Sequence, residues 1–126
     1  MNEQLTLGGL IAGLEAIGDR EKHVQFDFEY AFPTKLASWR GIYEHLALGF
    51  SFPYQDKWEE PTVTGLLQRL NGAIGGKFEG YKGGTYRMSE STPVWVANPG
   101  NVGNTVLSGV LDGELSVILE TRYSNE

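Results

Sequence analysis

The octapeptide HVQFDFEY, residues 23–30, alternates without interruption: Val24, Phe26, Phe28 and Tyr30 fall on one side of an extended chain, and His23, Gln25, Asp27 and Glu29 on the other. Period-two patterning is what a strand needs when one face is buried and the other is wet. A chain built around such a segment must form a sheet. HLALGFSF, residues 45–52, continues the theme with Leu46, Leu48, Phe50 and Phe52 in phase. TVLSGVL and ELSVILETR flank Asp112 and Gly113, which read as the two-residue type I′ turn of a hairpin because both tolerate positive φ. TPVWVAN supplies a further short strand stopped by Pro99-Gly100, whereas residues 31–41, interrupted by Pro33, read as a loop.

Two other segments carry helical periodicity. Thr6 precedes Leu7, Leu10, Ile11, Leu14 and Ile17, and Thr62 precedes Val63, Leu66, Leu67, Leu70 and Ala73 with Ile74, the same spacing displaced by 56 positions. Each has a threonine as N-cap and ends at glycine, Gly18 in the first and Gly75-Gly76 in the second. Gly9 and Gly65 coincide as well. An internal repeat explains this likeness, and so do two similarly patterned helices covering one sheet. The order of helix, two strands, helix and three or more strands implies an α+β fold. In it two amphipathic helices pack on a mainly antiparallel sheet, in a single domain spanning residues 1–126.

The chain has 126 residues, 40% hydrophobic and 21% charged, enough to bury one core and too ordered in composition for extensive disorder. A net charge of −6 argues against binding long DNA or RNA, whose affinity is built from many Lys and Arg contacts to phosphate. There are no cysteines, so disulfides, thiolate metal sites and thiol nucleophiles are excluded. Neither a basic leader followed by an apolar run nor a stretch of about 18 apolar residues is present, so a soluble, untargeted protein with no membrane partner is expected.

Against this acidic background KFEGYKGGTYRM, residues 77–88, stands out. Lys77, Lys82 and Arg87 against Glu79 give it +2, leaving −8 for the rest of the chain. Cations attract phosphate, the rings of Phe78, Tyr81 and Tyr86 can stack on bases, and Gly83-Gly84 let the backbone approach closely. A solvated, glycine-punctuated hairpin has the same composition. Trp39 and Arg40 form a second aromatic and cationic pair, which can serve a ligand or simply pack and salt-bridge. Asn98 can read a base edge or start a turn, and Arg122 closes the last strand where an anion or a partner chain can meet it.

Catalytic patterns are weak. His23 and His45 are the only histidines and sit in no serine-elbow or zinc-binding signature, so no metal is expected. Asp27 and Glu29, two apart on one strand face, can act as an acid–base pair or as solvated surface. GAIGGK, residues 72–77, has three residues between its outer glycines where a phosphate loop has four, and Phe78 where that loop has Ser or Thr.

With LTLGGLIAGLEAIG, SWRG, GYKGGTYRM and TPVWVAN in hand, the sequence resembles small phage proteins of the Thoeris anti-defence sponge family. The resemblance implies no catalysis and no cofactor. It implies binding of a cyclic ADP-ribose immune signal, in some members also of cyclic oligonucleotides at a separate site, which hides the signal from its effector in the host bacterial cytoplasm. It implies a homo-oligomer, a dimer or an assembly of dimers. By the same resemblance Met88 stands where the family has an aromatic ligand contact, a departure that weakens stacking, and Asn98 stands at a ligand-contacting asparagine. The ligand-binding set is thus Trp39, Arg40, Tyr81, Lys82, Gly83, Gly84, Tyr86, Arg87, Met88, Asn98 and Arg122. The alternatives are a small nucleotide hydrolase or lyase using His23 and His45, and a protein-binding accessory factor.

Overall fold

The computed structural model describes residues 4–28, 31–38, 45–51, 61–79, 84–96 and 105–123. Along the chain run α1 (Leu7–Glu15), β1 (His23–Phe26), β2 (Phe32–Ser38), β3 (Leu46–Ser51), α2 (Val63–Ala73), β4 (Lys77–Glu79), β5 (Thr85–Arg87), β6 (Val94–Val96), β7 (Thr105–Asp112) and β8 (Ser116–Tyr123). Among the described residues strand makes up 48% and helix 22%, so the sheet organises the molecule. Six strands form one sheet in the order β1-β8-β7-β6-β3-β2, and β4 pairs with β5 in a separate ribbon.

The expectation of two helices on a mainly antiparallel sheet is overturned by the dominance of strand over two short helices and by the near closure of the sheet, although three of its five pairings among the described residues are antiparallel. The sheet is mixed, with β1 parallel to β8 and β3 parallel to β6. It also curls until its edges nearly meet in a barrel-like form. At that seam the Phe26 N–H of β1 donates to Ala31 O, just before β2, at 2.8 Å, and the rings of Phe26, Phe28 and Phe50 pack on one another.

Two local readings change as well. Residues 32–38 form a strand, because Pro33 sits on the outermost strand in the order, where the register with β3 shifts between Pro33 and Lys35 and a ladder N–H is dispensable. The β7–β8 turn is longer than type I′, since Asp112 pairs with Val117 and Gly113 does not have positive φ. The Lys22 ammonium holds this turn, 2.7 Å from both Asp112 Oδ1 and Gly113 O.

The two helical segments belong to two halves that repeat one another in detail. Exchanging α1-β1-β2-β3 for α2-β6-β7-β8 converts the strand order into β6-β3-β2-β1-β8-β7, the same circle read from another start. Both hairpins, β2–β3 and β7–β8, carry their register shift at the matching place, Pro33/Lys35 and Leu107/Gly109. The helix caps match: Thr6 Oγ1 accepts from Gly9 N–H and Thr62 Oγ1 from Gly65 N–H, each at 3.1 Å.

The halves are also interlocked. Leu7 and Gly8 N–H of α1 donate to Thr92 and Glu90 O ahead of β6, while Val63 and Thr64 N–H of α2 donate to Lys22 and Arg20 O ahead of β1. Each half therefore supplies the carbonyls that satisfy the other's helix N-terminus, where backbone donors lack intrahelical partners. The core follows the same pairing, Leu7 with Val63, Leu10 with Leu66, Leu14 with Leu70, Val24 with Val94 and Leu48 with Leu119, all in one buried cluster.

Candidate functional site

The second half contains one element without a counterpart. The offset between halves is 56 at the helices (Thr6 to Thr62) and 70 at the following strands (Val24 to Val94), so 14 residues have entered between α2 and β6. Residues 75–88 account for them and carry the β4–β5 ribbon. Gly75, at φ 75°, releases the chain from α2, a left-handed conformation that glycine adopts without a Cβ penalty. The base of the ribbon is then closed by Gly75 N–H to Met88 O (2.7 Å) and Met88 N–H to Gly76 O (3.1 Å).

Strand phase distributes the side chains. Lys77 opposes Arg87, Phe78 opposes Tyr86 and Glu79 opposes Thr85. Lys77, Glu79, Thr85 and Arg87 are exposed, Phe78 and Tyr86 are half-buried, and Met88, next in phase after Tyr86, is fully buried in the core. The backbone then turns. Ser89 N–H donates to Thr92 Oγ1 (2.8 Å) and Thr92 N–H to Ser89 O (3.1 Å), which explains how Thr92 is buried as a polar residue.

Between the ribbon and this turn lies a cleft of about 450 Å³ lined by His45, Thr85, Tyr86, Arg87, Ser89, Ser91, Thr92 and Pro93. Among the described residues no carboxylate lines it, the one fixed charge is the Arg87 guanidinium, and the polar surface is hydroxyl and imidazole. Gly84, at φ 87°, shapes the wall indirectly: a Cβ there would lie 3.2 Å from the Tyr86 hydroxyl. The missing carbon therefore makes room for Tyr86, where the sequence suggested room for a ligand.

His45 is oriented from behind. Trp95 Nε1–H donates to His45 Nδ1 at 2.9 Å, with the rings stacked at 6.3 Å. An Nδ1 that accepts carries no proton, so a neutral ring holds its proton on Nε2. The matching position in the first half is the Ser116 Oγ to Gln25 Oε1 hydrogen bond, 3.3 Å, a polar pair with no ring. Trp95 pairs with Val106 and Val106 with Arg122, so Arg122 lies on the same row of the sheet, two strands from the tryptophan that holds His45.

Of the expected ligand set, Tyr86 and Arg87 meet in the cleft, Gly84 supports Tyr86, and Arg122 stands outside its lining, on the row of Trp95. Met88 is fully buried, so it presents no surface for the ligand contact that the resemblance assigned to it. Trp39, Arg40, Tyr81, Lys82, Gly83 and Asn98 lie outside the described residues. His45, Ser89, Ser91 and Thr92 enter from the structure. Their signal in the sequence was weak, because SEST is an ordinary turn sequence and His45 has no motif partner.

Of the two carboxylates weighed as an acid–base pair, only Asp27 is among the described residues. β1 ends at Phe26, Glu29 lies outside the described residues, and Asp27 accepts from Thr121 N–H (2.8 Å) and Thr121 Oγ1 (2.6 Å). His23 does not line the cleft. No group of three or more metal-ligating side chains occurs among the described residues, and no helix there is long and apolar enough to cross a membrane. A second groove, about 580 Å³, lies on the other side of the turn between α1 and α2, but Glu15 and Glu90 line it and suit it poorly to an anion. The chain has no significant match to a family model, a curated protein or a solved structure.

Proposed function

We propose that this protein binds a small cyclic nucleotide through its phosphoryl groups and withholds it unaltered, as the resemblance to the Thoeris anti-defence sponges implies. The observation that carries this reading is the cleft with Arg87 on its wall and no carboxylate among its described lining residues. A guanidinium flanked by hydroxyls retains a phosphate through charge-assisted hydrogen bonds, and the cleft volume lies in the range of small-molecule sites. The Trp95–His45 bond supports retention over cleavage, because it occupies the one basic lone pair of the neutral imidazole. A hydrolase working through His45 would need that lone pair.

Nanomolar retention requires about −12 kcal/mol. An open cleft supplies less, so the chain acts as a dimer or an assembly of dimers in which a second copy closes over the ligand. Native mass spectrometry of protein taken from cells producing cyclic ADP-ribose isomers tests both points. The expected species is an oligomer with bound nucleotide, released on denaturation at its original mass. Recovery of a cleaved nucleotide would reject retention.

A further inference from the structure

The ribbon that the second half has gained carries an unbalanced pair of charges. Met88 N–H donates to Gly76 O, which makes 76/88 the hydrogen-bonded position of the antiparallel ladder and 77/87 the next, non-hydrogen-bonded one. Side chains approach most closely at such positions, with Cα atoms about 4.5 Å apart. Lys77 and Arg87 occupy it together, both exposed. Like charges directly opposed across two strands destabilise the pairing. Glu79 lies on the same face but forms no ion pair with either, since the one ion pair among the described residues is Lys22–Asp112.

This repulsion sits in a ribbon of two three-residue strands outside the main sheet, an arrangement of marginal stability by itself. It also sits in an acidic chain with 16 carboxylates to 10 basic side chains, where a neutralising partner would be easy to supply. Arg87 reaches the cleft, and Lys77 stands directly opposite it on β4.

We propose that Lys77 and Arg87 jointly hold one phosphoryl group, and that this anion completes the β4–β5 ribbon by removing the repulsion across it. The inference rests on reading the cleft as an anion site and adds Lys77 to it. The inserted ribbon is then the binding element of a repeated scaffold, which accounts for its presence in one half only. Binding and ribbon stability are linked, because an anion that prefers the closed ribbon must stabilise it by the same factor.

Hydrogen exchange at the Phe78 and Tyr86 amides reports opening of this ribbon. Inorganic phosphate is the probe, with sodium chloride at matched ionic strength as the control. In the wild type, phosphate should slow exchange about tenfold relative to chloride. In Lys77→Gln and Arg87→Gln that response should vanish, while exchange in chloride becomes slower than in the wild type because the repulsion is gone. Equal exchange in phosphate and chloride for the wild type, or an intact phosphate response in either variant, would overturn the proposal. Cyclic nucleotide binding to Lys77→Gln at wild-type affinity would also overturn it while leaving the cleft reading intact. Phosphate protection without binding of any cyclic nucleotide would uphold this site and reject the nucleotide reading.

Discussion

Gly84 shows how one absent carbon shapes the cleft. Its φ of 87° and the Tyr86 hydroxyl 3.2 Å from its would-be Cβ mean that an alanine meets two penalties, backbone strain and collision. Gly84→Ala should therefore weaken both the ribbon and ligand binding, with a stability loss of about 1–2 kcal/mol. In a Tyr86→Phe background the colliding oxygen is gone and the strain remains, so the loss there should be smaller. Denaturant titration of the four proteins checks this, and strict additivity would show that Tyr86 plays no part. The same residues explain what the sequence could not reveal. Composition picked out residues 77–88 as cationic and aromatic but carried no phase, and phase is what sends Lys77 and Arg87 outward and Met88 into the core.

At the scale of elements, both helix starts were legible because a threonine cap preceding helical periodicity has a local cause, and the observed cap dihedrals are near-identical, φ −90°, ψ 169° at Thr6 and φ −92°, ψ 169° at Thr62. Thr62→Ala and Thr6→Ala should each cost about 1 kcal/mol. Their effects should add, since the caps belong to different helices and share no partner. Thermal unfolding of the two single variants and the double variant measures this; a double-variant loss well beyond the sum would indicate that the interlocked N-termini unfold as one unit. The end of α1 was less legible. The helix stops at Glu15 ahead of Gly18, with the Arg20 guanidinium donating to Glu15 O at 2.9 Å from beyond its end. β2 is hidden in the sequence because Pro33 reads as a breaker, and only its place at the edge of the sheet order makes proline tolerable there.

For the whole molecule, the sequence displayed half of the repeat and concealed the other half. The helices keep their shared spacing, but the matching strands lie at a different offset because of the 14 inserted residues, and no single shift aligns both. Parallel pairing of β1 with β8 and β3 with β6 joins segments far apart in the chain, which local patterning cannot indicate. The repeat itself yields a prediction. Excising residues 75–88, so that Ile74 meets Ser89 as Gly18 meets Asp19 in the first half, should leave a folded barrel-like sheet. The expected loss of about 2–5 kcal/mol is that of removing a buried Met88 side chain, plus a smaller share for partly buried Phe78. Circular dichroism and denaturant unfolding would show a retained cooperative transition; a chain without one would mean that the ribbon is integral to the scaffold.

The central claim is that the cleft beside Arg87 captures a phosphorylated nucleotide, and titration calorimetry of cyclic ADP-ribose isomers into the wild type and Arg87→Gln tests it most directly. Losing a charge-assisted contact should weaken binding by at least about tenfold with little change in unfolding midpoint, since Arg87 is exposed and makes no ion pair among the described residues. Undiminished affinity in Arg87→Gln, or no heat of binding in the wild type, would contradict the account.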